Sequence, residues 1–279
     1  MPTNRCNANC KWCCYADVDK QVELSIEEIK EIILYFFALG TRAITFSGGG
    51  EPTVHPHIDD MLSFAKDKGI SCGLVTNGLK WSKKNLKLDV ANKTLTWARM
   101  SIIETIGDYD IKKISRFANN LSNVDIGISF VVPDDVNIQL AIDICNLVKG
   151  ISNITHIKFI QDSYNLNSNA IKEVEIACNK ITNKAFFVPR TDYTKGQQKC
   201  QISLLKPVVN ATGYIFPCCD IQHAAGDFKH PPKNLRMCYW NEFHKAEYFN
   251  GSKCTKCYYD NYNLFLNNLL SKVEHINFL

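Results

Sequence analysis

Cys6, Cys10 and Cys13 fall within one short stretch, Cys6-Asn7-Ala8-Asn9-Cys10-Lys11-Trp12-Cys13, with three and then two residues between them. Three thiolates on one loop can hold three irons of a cubane 4Fe-4S cluster and leave the fourth iron open. Iron–sulfur clusters are normally held by four cysteine thiolates, so a three-cysteine loop points to chemistry at the free corner. The plainer alternatives are a zinc site or thiols scattered in a core. A structural zinc needs a fourth ligand, and Cys14, directly after Cys13, is badly placed to supply it.

A second set of cysteines lies far downstream. Cys200 is followed by twelve residues, Gly213, four more residues and Cys218, and later by Cys254-Thr255-Lys256-Cys257. Pro207 to Val209 and Tyr214 to Phe216 flank an Asn210-Ala211-Thr212-Gly213 turn, which reads as a β-hairpin. The hairpin would bring Cys200 and Cys218 to its open end, where the Cys-x2-Cys pair could complete four thiolates. Spacing alone also allows a zinc ribbon, and Cys219 or Cys238 could stand in for a neighbour. Cys72, Cys145 and Cys178 fall inside predicted strands or helices and read as small core residues.

Between the two sets lies a glycine-rich loop, Ser47-Gly48-Gly49-Gly50-Glu51-Pro52. Glycine lets a backbone approach a ligand closely, although such a loop is often only a tight turn. It follows a short β-branched and aromatic stretch, 42–46, that reads as a strand. Around it the pattern alternates. Ser25 and Glu28 form a capping box ahead of Ile29, Ile32, Ile33, Phe36 and Phe37 on one helical face, and Gly40 stops the run. Helices are expected over 57–68, 110–121 and 170–181, and a further amphipathic helix is marked by Leu140, Ile144, Leu147, Val148 and Ile151. Strands are expected over 71–76, 95–102, 125–132 and 154–160. This alternation implies parallel βαβ units. With one strand before Cys6 there are six units, too few for a closed eight-fold barrel. Only five residues precede Cys6, so either that strand is very short or the chain starts late. After Pro189 the pattern gives way to short strands, prolines and cysteines, which sets two domains, 1–190 and 191–279.

Composition excludes several classes. The 279 residues are 46% hydrophobic and 22% charged, ordinary for a globular protein. No 18-residue apolar run suggests a membrane span, and no signal peptide precedes the cysteine motif. A net charge of +4 is too small to argue for a nucleic-acid partner. Thirteen cysteines in a chain this long point to ligation in a reducing cytoplasm rather than to disulfides.

The cysteine triad with an aromatic before its last member resembles the signature of the radical S-adenosylmethionine (radical SAM) superfamily. The resemblance implies an α/β fold, a partial (β/α)6 TIM-like barrel open on one side. It implies a 4Fe-4S cluster on Cys6, Cys10 and Cys13 whose open iron binds the amino and carboxylate groups of SAM, with Trp12 beside the adenine. Gly49, Gly50 and Glu51 match the family's GGE motif, which binds the methionine amino group. Ser101 ends the fourth strand where relatives place a polar residue near the SAM ribose or carboxylate. The usual Ser-x-Asp is replaced by Ser101-Ile102-Ile103-Glu104, and Glu104 could face substrate or be an exposed loop carboxylate. Ser129 and Val131 fall near the adenine-contacting segment. Gln161 and Asp162 end the sixth expected strand and read best as solvated loop. The seven histidines show no ligand spacing.

The C-terminal cysteines resemble the twitch domain, a shortened SPASM domain. That likeness implies a second, auxiliary 4Fe-4S cluster on Cys200, Cys218, Cys254 and Cys257. Together these imply reductive cleavage of SAM to a 5′-deoxyadenosyl radical that abstracts hydrogen from a substrate. An electron donor such as flavodoxin or ferredoxin is expected. The main reading of the substrate is a small molecule or a nucleotide. A peptide- or protein-modifying maturase is the runner-up, and a non-catalytic iron- or zinc-binding interaction protein is the alternative from another class. No catalytic side chain is assigned from sequence.

Overall fold

A computed structural model describes residues 1–79, 86–102, 111–190, 194–220 and 235–271. The chain divides into two compact units, Met1–Cys13 with Asp19–Thr191, and Cys14–Val18 with Asp192–Leu279.

The first unit is built on six parallel strands in sequential order: β1 (Ala43–Phe46), β2 (Ser71–Thr76), β3 (Leu95–Ile102), β4 (Asp125–Val132), β5 (Ile154–Gln161) and β6 (Ala185–Val188). Helices α1 (Ile26–Ala38), α2 (Ile58–Asp67), α3 (Leu88–Thr94), α4 (Lys112–Asn120), α5 (Ile138–Lys149) and α6 (Ala170–Cys178) precede or connect them. β1 and β6 stay at opposite ends of the strand order, so the sheet is a partial barrel. Serine caps α1 as expected: Ser25 Oγ accepts from Glu28 N, and the Glu28 carboxylate accepts from Ser25 N.

Alternation of side chains along each strand gives the sheet two unlike faces. Ala98, Met100 and Ile102 of β3, Ile126, Ile128, Phe130 and Val132 of β4 and Ile157 and Phe159 of β5 are buried in one apolar core with the helices. Phe159 stacks on Phe187 at 5.3 Å and meets Phe130 edge-on at 5.7 Å. Removing the Phe159 ring would cost about 3–5 kcal/mol. The alternate residues face the concave side. Register aligns Arg99 with Gly127 and Gly127 with His156, and one layer on, Ser101 with Ser129 and Ser129 with Lys158. Glycine is needed at two places on this face. A Cβ on Gly73 would lie 2.4 Å from the Trp97 indole, and one on Gly127 2.6 Å from the His156 ring.

Two expectations are corrected here. The sixth strand is β6, not a strand before Cys6, and 154–161 is therefore the fifth. Residues 2–5 instead form a bridge: Thr3 pairs antiparallel with Glu23, and its carbonyl accepts from Gly50 N at 3.0 Å. Its bonds go to loop residues rather than to a neighbouring strand, so it does not become a strand of the sheet. β6 escaped notice because Ala185-Phe186-Phe187-Val188 is only four residues long and edge-exposed. Helix α3 was also not foreseen.

The second unit contains a helical turn α7 (Ile202–Leu205), the hairpin β7 (Val208–Val209) with β8 (Ile215–Phe216), and a C-terminal helix α8 (Asp260–Ser271). The hairpin is antiparallel, and Gly213 takes a positive φ of 78° in its turn. Helix α8 was not expected from a stretch read as short strands and loops. A small apolar core gathers Cys200, Ile202, Phe216, Leu235, Phe249 and Cys254. Cys72, Cys145 and Cys178 are fully buried in the first unit's core. Among the described residues no helix is long and apolar enough to cross a membrane.

Candidate functional site

The N-terminal site begins with the segment 2–5, which is held from both sides. Asn4 N donates to Val22 O at 2.9 Å and Leu24 N to Pro2 O at 3.0 Å. On the other side Gly50 N donates to Thr3 O and Glu51 N to Arg5 O at 2.8 Å. The cysteine loop is thus fastened directly to the glycine loop. Gly50 is required by that closeness, since a Cβ there would lie 2.1 Å from Arg5 O. This changes the expected reason for the glycine: the chain that approaches it is the protein's own residues 4–5.

Glu51 is 3% exposed and turns inward. Its Oε1 accepts from Thr53 N at 3.1 Å, Thr53 Oγ1 at 2.6 Å and Thr76 Oγ1 at 2.7 Å. Its Oε2 accepts from Asn77 N at 2.7 Å. A buried carboxylate needs such donors, and four of them bind Glu51 into the turn that ends β2. Asn77 continues the connection. Its Nδ2 donates to Asn7 Oδ1 at 2.9 Å and reaches Cys6 Sγ at 3.9 Å, while its Oδ1 accepts from Leu79 N. His55 supports the same corner from behind. It is 2% exposed, its Nε2 lies 2.9 Å from Leu24 O, and its Nδ1 accepts from His57 N. These partners make Nε2 the protonated nitrogen, and burial holds His55 below the ordinary histidine range.

The three thiols sense one another. Burial pushes Cys10 up to about 11, and the charges of Cys13 and Cys6 push the same way. Burial of its thiol also raises Cys6, with the Glu51 and Cys13 charges adding to it and the Ala8 N–H opposing it. Thiolates at these positions would repel one another, and cationic irons among them would offset that repulsion, so the donor set suits an iron cluster. Cys13 N is bonded to Cys10 O, and Tyr164 OH donates to Cys13 O at 3.3 Å. Trp12 is half-buried beside them. Ser101 lies on the concave face next to Ser129, at the C-terminal end of β3. Glu104 lies outside the described residues.

Gln161 is not solvated loop. It is 1% exposed, its Nε2 donates to Leu166 O at 3.0 Å, and its Oε1 accepts from Arg190 N at 2.7 Å. Asp162, at the start of the same loop, accepts from Tyr164 N. Sequence reasoning also passed over Thr76, Asn77 and His55, and over the three basic residues of the concave face. Burial and the charges of Arg99 and Lys158 lower His156, which puts the three within electrostatic reach. The usable signal was the alternation itself: Trp97, Arg99 and Ser101 interleave with Ala98, Met100 and Ile102.

In the second unit, Cys200, Cys218, Cys254 and Cys257 line a single cavity. Main-chain bonds fix three of them. Cys200 N donates to Phe249 O, Gly196 N to Cys254 O, and Cys257 N to Thr194 O at 2.8 Å. Gly196 and Gly251 allow this, because a Cβ on Gly196 would lie 2.2 Å from Gly251 O. Asn263, 1% exposed, reaches Cys200 Sγ with Nδ2 at 3.7 Å and accepts from Ile202 N with Oδ1. Burial pushes Cys254 up to about 12 and Cys218 well above the ordinary thiol range. Cys219 is not among the residues lining the cavity and bonds two that are, Tyr259 OH at 3.2 Å and Asp220 Oδ2 at 3.3 Å. Cys238 lies beside Glu242, away from this cavity.

Among the described residues no three Cys, His, Asp or Glu side chains close on a point that would hold a single metal ion. Tetrahedral zinc needs its sulfurs about 3.8 Å apart. A cubane spreads its cysteines over separate irons and takes four thiolates, the number of cysteines that line this cavity.

Comparison with known proteins agrees with the fold. The crystal structure of Streptococcus suis SuiB bound to S-adenosylmethionine superposes with a TM-score of 0.60 at 15% identity, covering 80% of this chain and 60% of that one. In sequence, an S-adenosylmethionine-dependent nucleotide dehydratase from Flammeovirga pacifica is 33% identical over 123 residues, 42% of this chain. An Fe-coproporphyrin III synthase from Methanosarcina barkeri is 39% identical over 79 residues, 27% of this chain. The matched stretches span 41% and 19% of those two relatives. Residues 1–127 match the family profile described as Radical SAM superfamily. The stretch that carries the three-cysteine loop, the glycine loop and the first strands of the partial barrel is therefore part of a radical SAM domain.

Proposed function

We propose that this protein is a radical SAM enzyme that abstracts hydrogen from a small, anionic substrate and carries an auxiliary cluster in its second unit. The observation that carries the reading is the fastening of the three-cysteine loop to the glycine loop within a radical SAM domain. When bound, a 4Fe-4S cluster and SAM supply one-electron cleavage of the sulfonium and a 5′-deoxyadenosyl radical. Cys6, Cys10 and Cys13 would hold that cluster. The main chain of Gly49 and Gly50 would meet the methionine end of SAM, with Glu51 acting as the internal strut of the loop. Trp12 and Ser101 would flank the nucleoside. Cys200, Cys218, Cys254 and Cys257 would hold the second cluster, whose four thiolates leave no iron open for substrate.

The concave face supports a substrate with a negatively charged group. Arg99, His156 and Lys158 project from adjacent register positions, beside the hydroxyls of Ser101 and Ser129. A nucleotide, the substrate class in the name of the Flammeovirga pacifica relative, offers such a group. An electron donor of the flavodoxin or ferredoxin kind would deliver the electron.

The deciding experiment is anaerobic reconstitution followed by chemical reduction with SAM present. The expected result is 5′-deoxyadenosine and methionine from the unaltered protein, and none after Cys6, Cys10 and Cys13 are changed together to Ala. Cleavage that survives in that variant would overturn the reading.

A further inference from the structure

We propose that Asn77 is a positioning residue that donates an N–H···S hydrogen bond to Cys6 and thereby raises the reduction potential of the N-terminal cluster. The inference rests on the radical SAM reading of the first unit.

Asn77 is 7% exposed and every polar atom of its side chain is engaged. A primary amide has two N–H donors and one carbonyl acceptor. One donor goes to Asn7 Oδ1 at 2.9 Å, inside the cysteine loop, and the other faces Cys6 Sγ at 3.9 Å. The carbonyl accepts from Leu79 N at 3.0 Å, which closes the turn after β2. The main-chain N–H is held by Glu51 Oε2 at 2.7 Å. One residue thus stands between the glycine-loop carboxylate and a cluster thiolate, with its orientation fixed from three directions.

That orientation decides what the amide can do. The Glu51 and Leu79 bonds set the backbone and the carbonyl, so the amide nitrogen has only the cysteine loop to address. Hydrogen bonds to cluster sulfurs are among the factors that set iron–sulfur potentials. A donor stabilises the more negative, reduced state. The second unit repeats the device with Asn263, whose Nδ2 reaches Cys200 Sγ at 3.7 Å while Oδ1 is taken by Ile202 N. In both sites a buried asparagine spends its carbonyl on backbone and brings its amide nitrogen within reach of a cysteine sulfur.

Three variants of the full chain separate this role from simple loop support. Asn77→Asp keeps the carbonyl for Leu79 and removes both N–H donors. Asn77→Ala removes donors and acceptor without adding charge. Asn7→Ala removes the neighbouring acceptor and leaves the amide facing Cys6. The readout is a potentiometric titration of the reconstituted protein, following the part of the EPR signal that SAM alters. Asn77→Ala should shift the reduction equilibrium about tenfold toward the oxidised cluster, 59 mV for one electron. Asn77→Asp should shift it further, and Asn7→Ala should leave it within about twofold. If the Asn77 variants lose N-terminal iron, Asn77 is a loop support and the assignment of a potential-raising bond falls. An unchanged potential in Asn77→Ala, or an equal shift or equal iron loss in Asn7→Ala, would overturn it. Absence of any N-terminal cluster in the unaltered protein would be a different failure, that of the proposed function itself.

Discussion

The two cysteine sites use the same ligand atom and are built in opposite ways. In the first, three thiols ride on one loop of eight residues, Cys6 exposed and Cys10 and Cys13 half-buried. In the second, four thiols from three separated stretches converge, with Cys200 and Cys254 at 8% and 7% exposure. A site made by one short loop can leave a coordination position open, because no other part of the chain need close over it. A site made by convergence closes as it forms. The comparison predicts that the first site depends on the sheet that carries it, and that the second unit depends on its own site.

The largest test of that contrast removes one site at a time. Reconstituted protein should hold about eight irons in two clusters, and either set of substitutions should halve that number. The consequences should differ. Changing Cys6, Cys10 and Cys13 to Ala should leave limited proteolysis unaltered, since the buried sheet core does not involve them. Changing Cys254 and Cys257 to Ala should expose the chain beyond Pro189 to protease, because metal binding organises small loop-rich units. Equal protease resistance in both variants would break the comparison.

A smaller effect distinguishes neighbours in sequence. Cys218 lines the cavity and Cys219 bonds Tyr259. Cys218→Ala should cost the second cluster, measured as loss of about four irons and of its Mössbauer signal, while Cys219→Ala should retain it. The reverse result would move the ligand by one residue. A Mössbauer spectrum of the N-terminal triple variant reads the second site alone; a zinc-only site there would remove the cluster from the proposal.

In the first site the comparable test falls on Glu51. Glu51→Gln replaces an acceptor of four hydrogen bonds by a group that turns an amide donor toward other donors. The expected loss is about 3 kcal/mol of unfolding free energy for the metal-free protein, read by urea denaturation. A change of SAM affinity with no loss of stability would mean that the carboxylate addresses the ligand instead.

How much of this was legible in the sequence depended on whether the signal was local. The capping box at Ser25 and Glu28, the helical faces and the long strands β3 to β5 are written in neighbouring residues and read directly. Four-residue β6 and seven-residue α3 carry too few positions for a period to emerge. The candidate cysteines stood out by type and spacing, and the expected hairpin put Cys200 and Cys218 together. Spacing left Cys218 and Cys219 both open and only the resemblance favoured Cys218, because a one-residue shift turns the side chain to a different neighbour. Glu51 shows the same limit from the other side. Its motif was plain, yet its inward direction depends on Thr76 and Asn77, 25 and 26 residues away.

The smallest expected effect is one of pH, and it again divides the two sites. His55 braces the first site as a neutral ring, donating to Leu24 O and accepting from His57 N, and burial lowers its affinity for a proton. The Glu23 charge and the Leu24 carbonyl work against that lowering, and the His57 and Arg5 charges work with it. A histidine less basic when folded than the ordinary 6.5 contributes stability above that value and loses it as pH falls, because the unfolded chain takes up the proton first. Among the described residues no histidine lines the cavity of the second unit. Between pH 7.5 and 5.5, hydrogen exchange corrected for its intrinsic rate should therefore quicken in peptides covering 1–5, 22–24 and 48–55. Peptides covering 250–258 should stay protected, and His55→Gln should flatten the pH response of the first group. Parallel loosening of both sets would show that acid acts on the protein as a whole and that His55 is no brace.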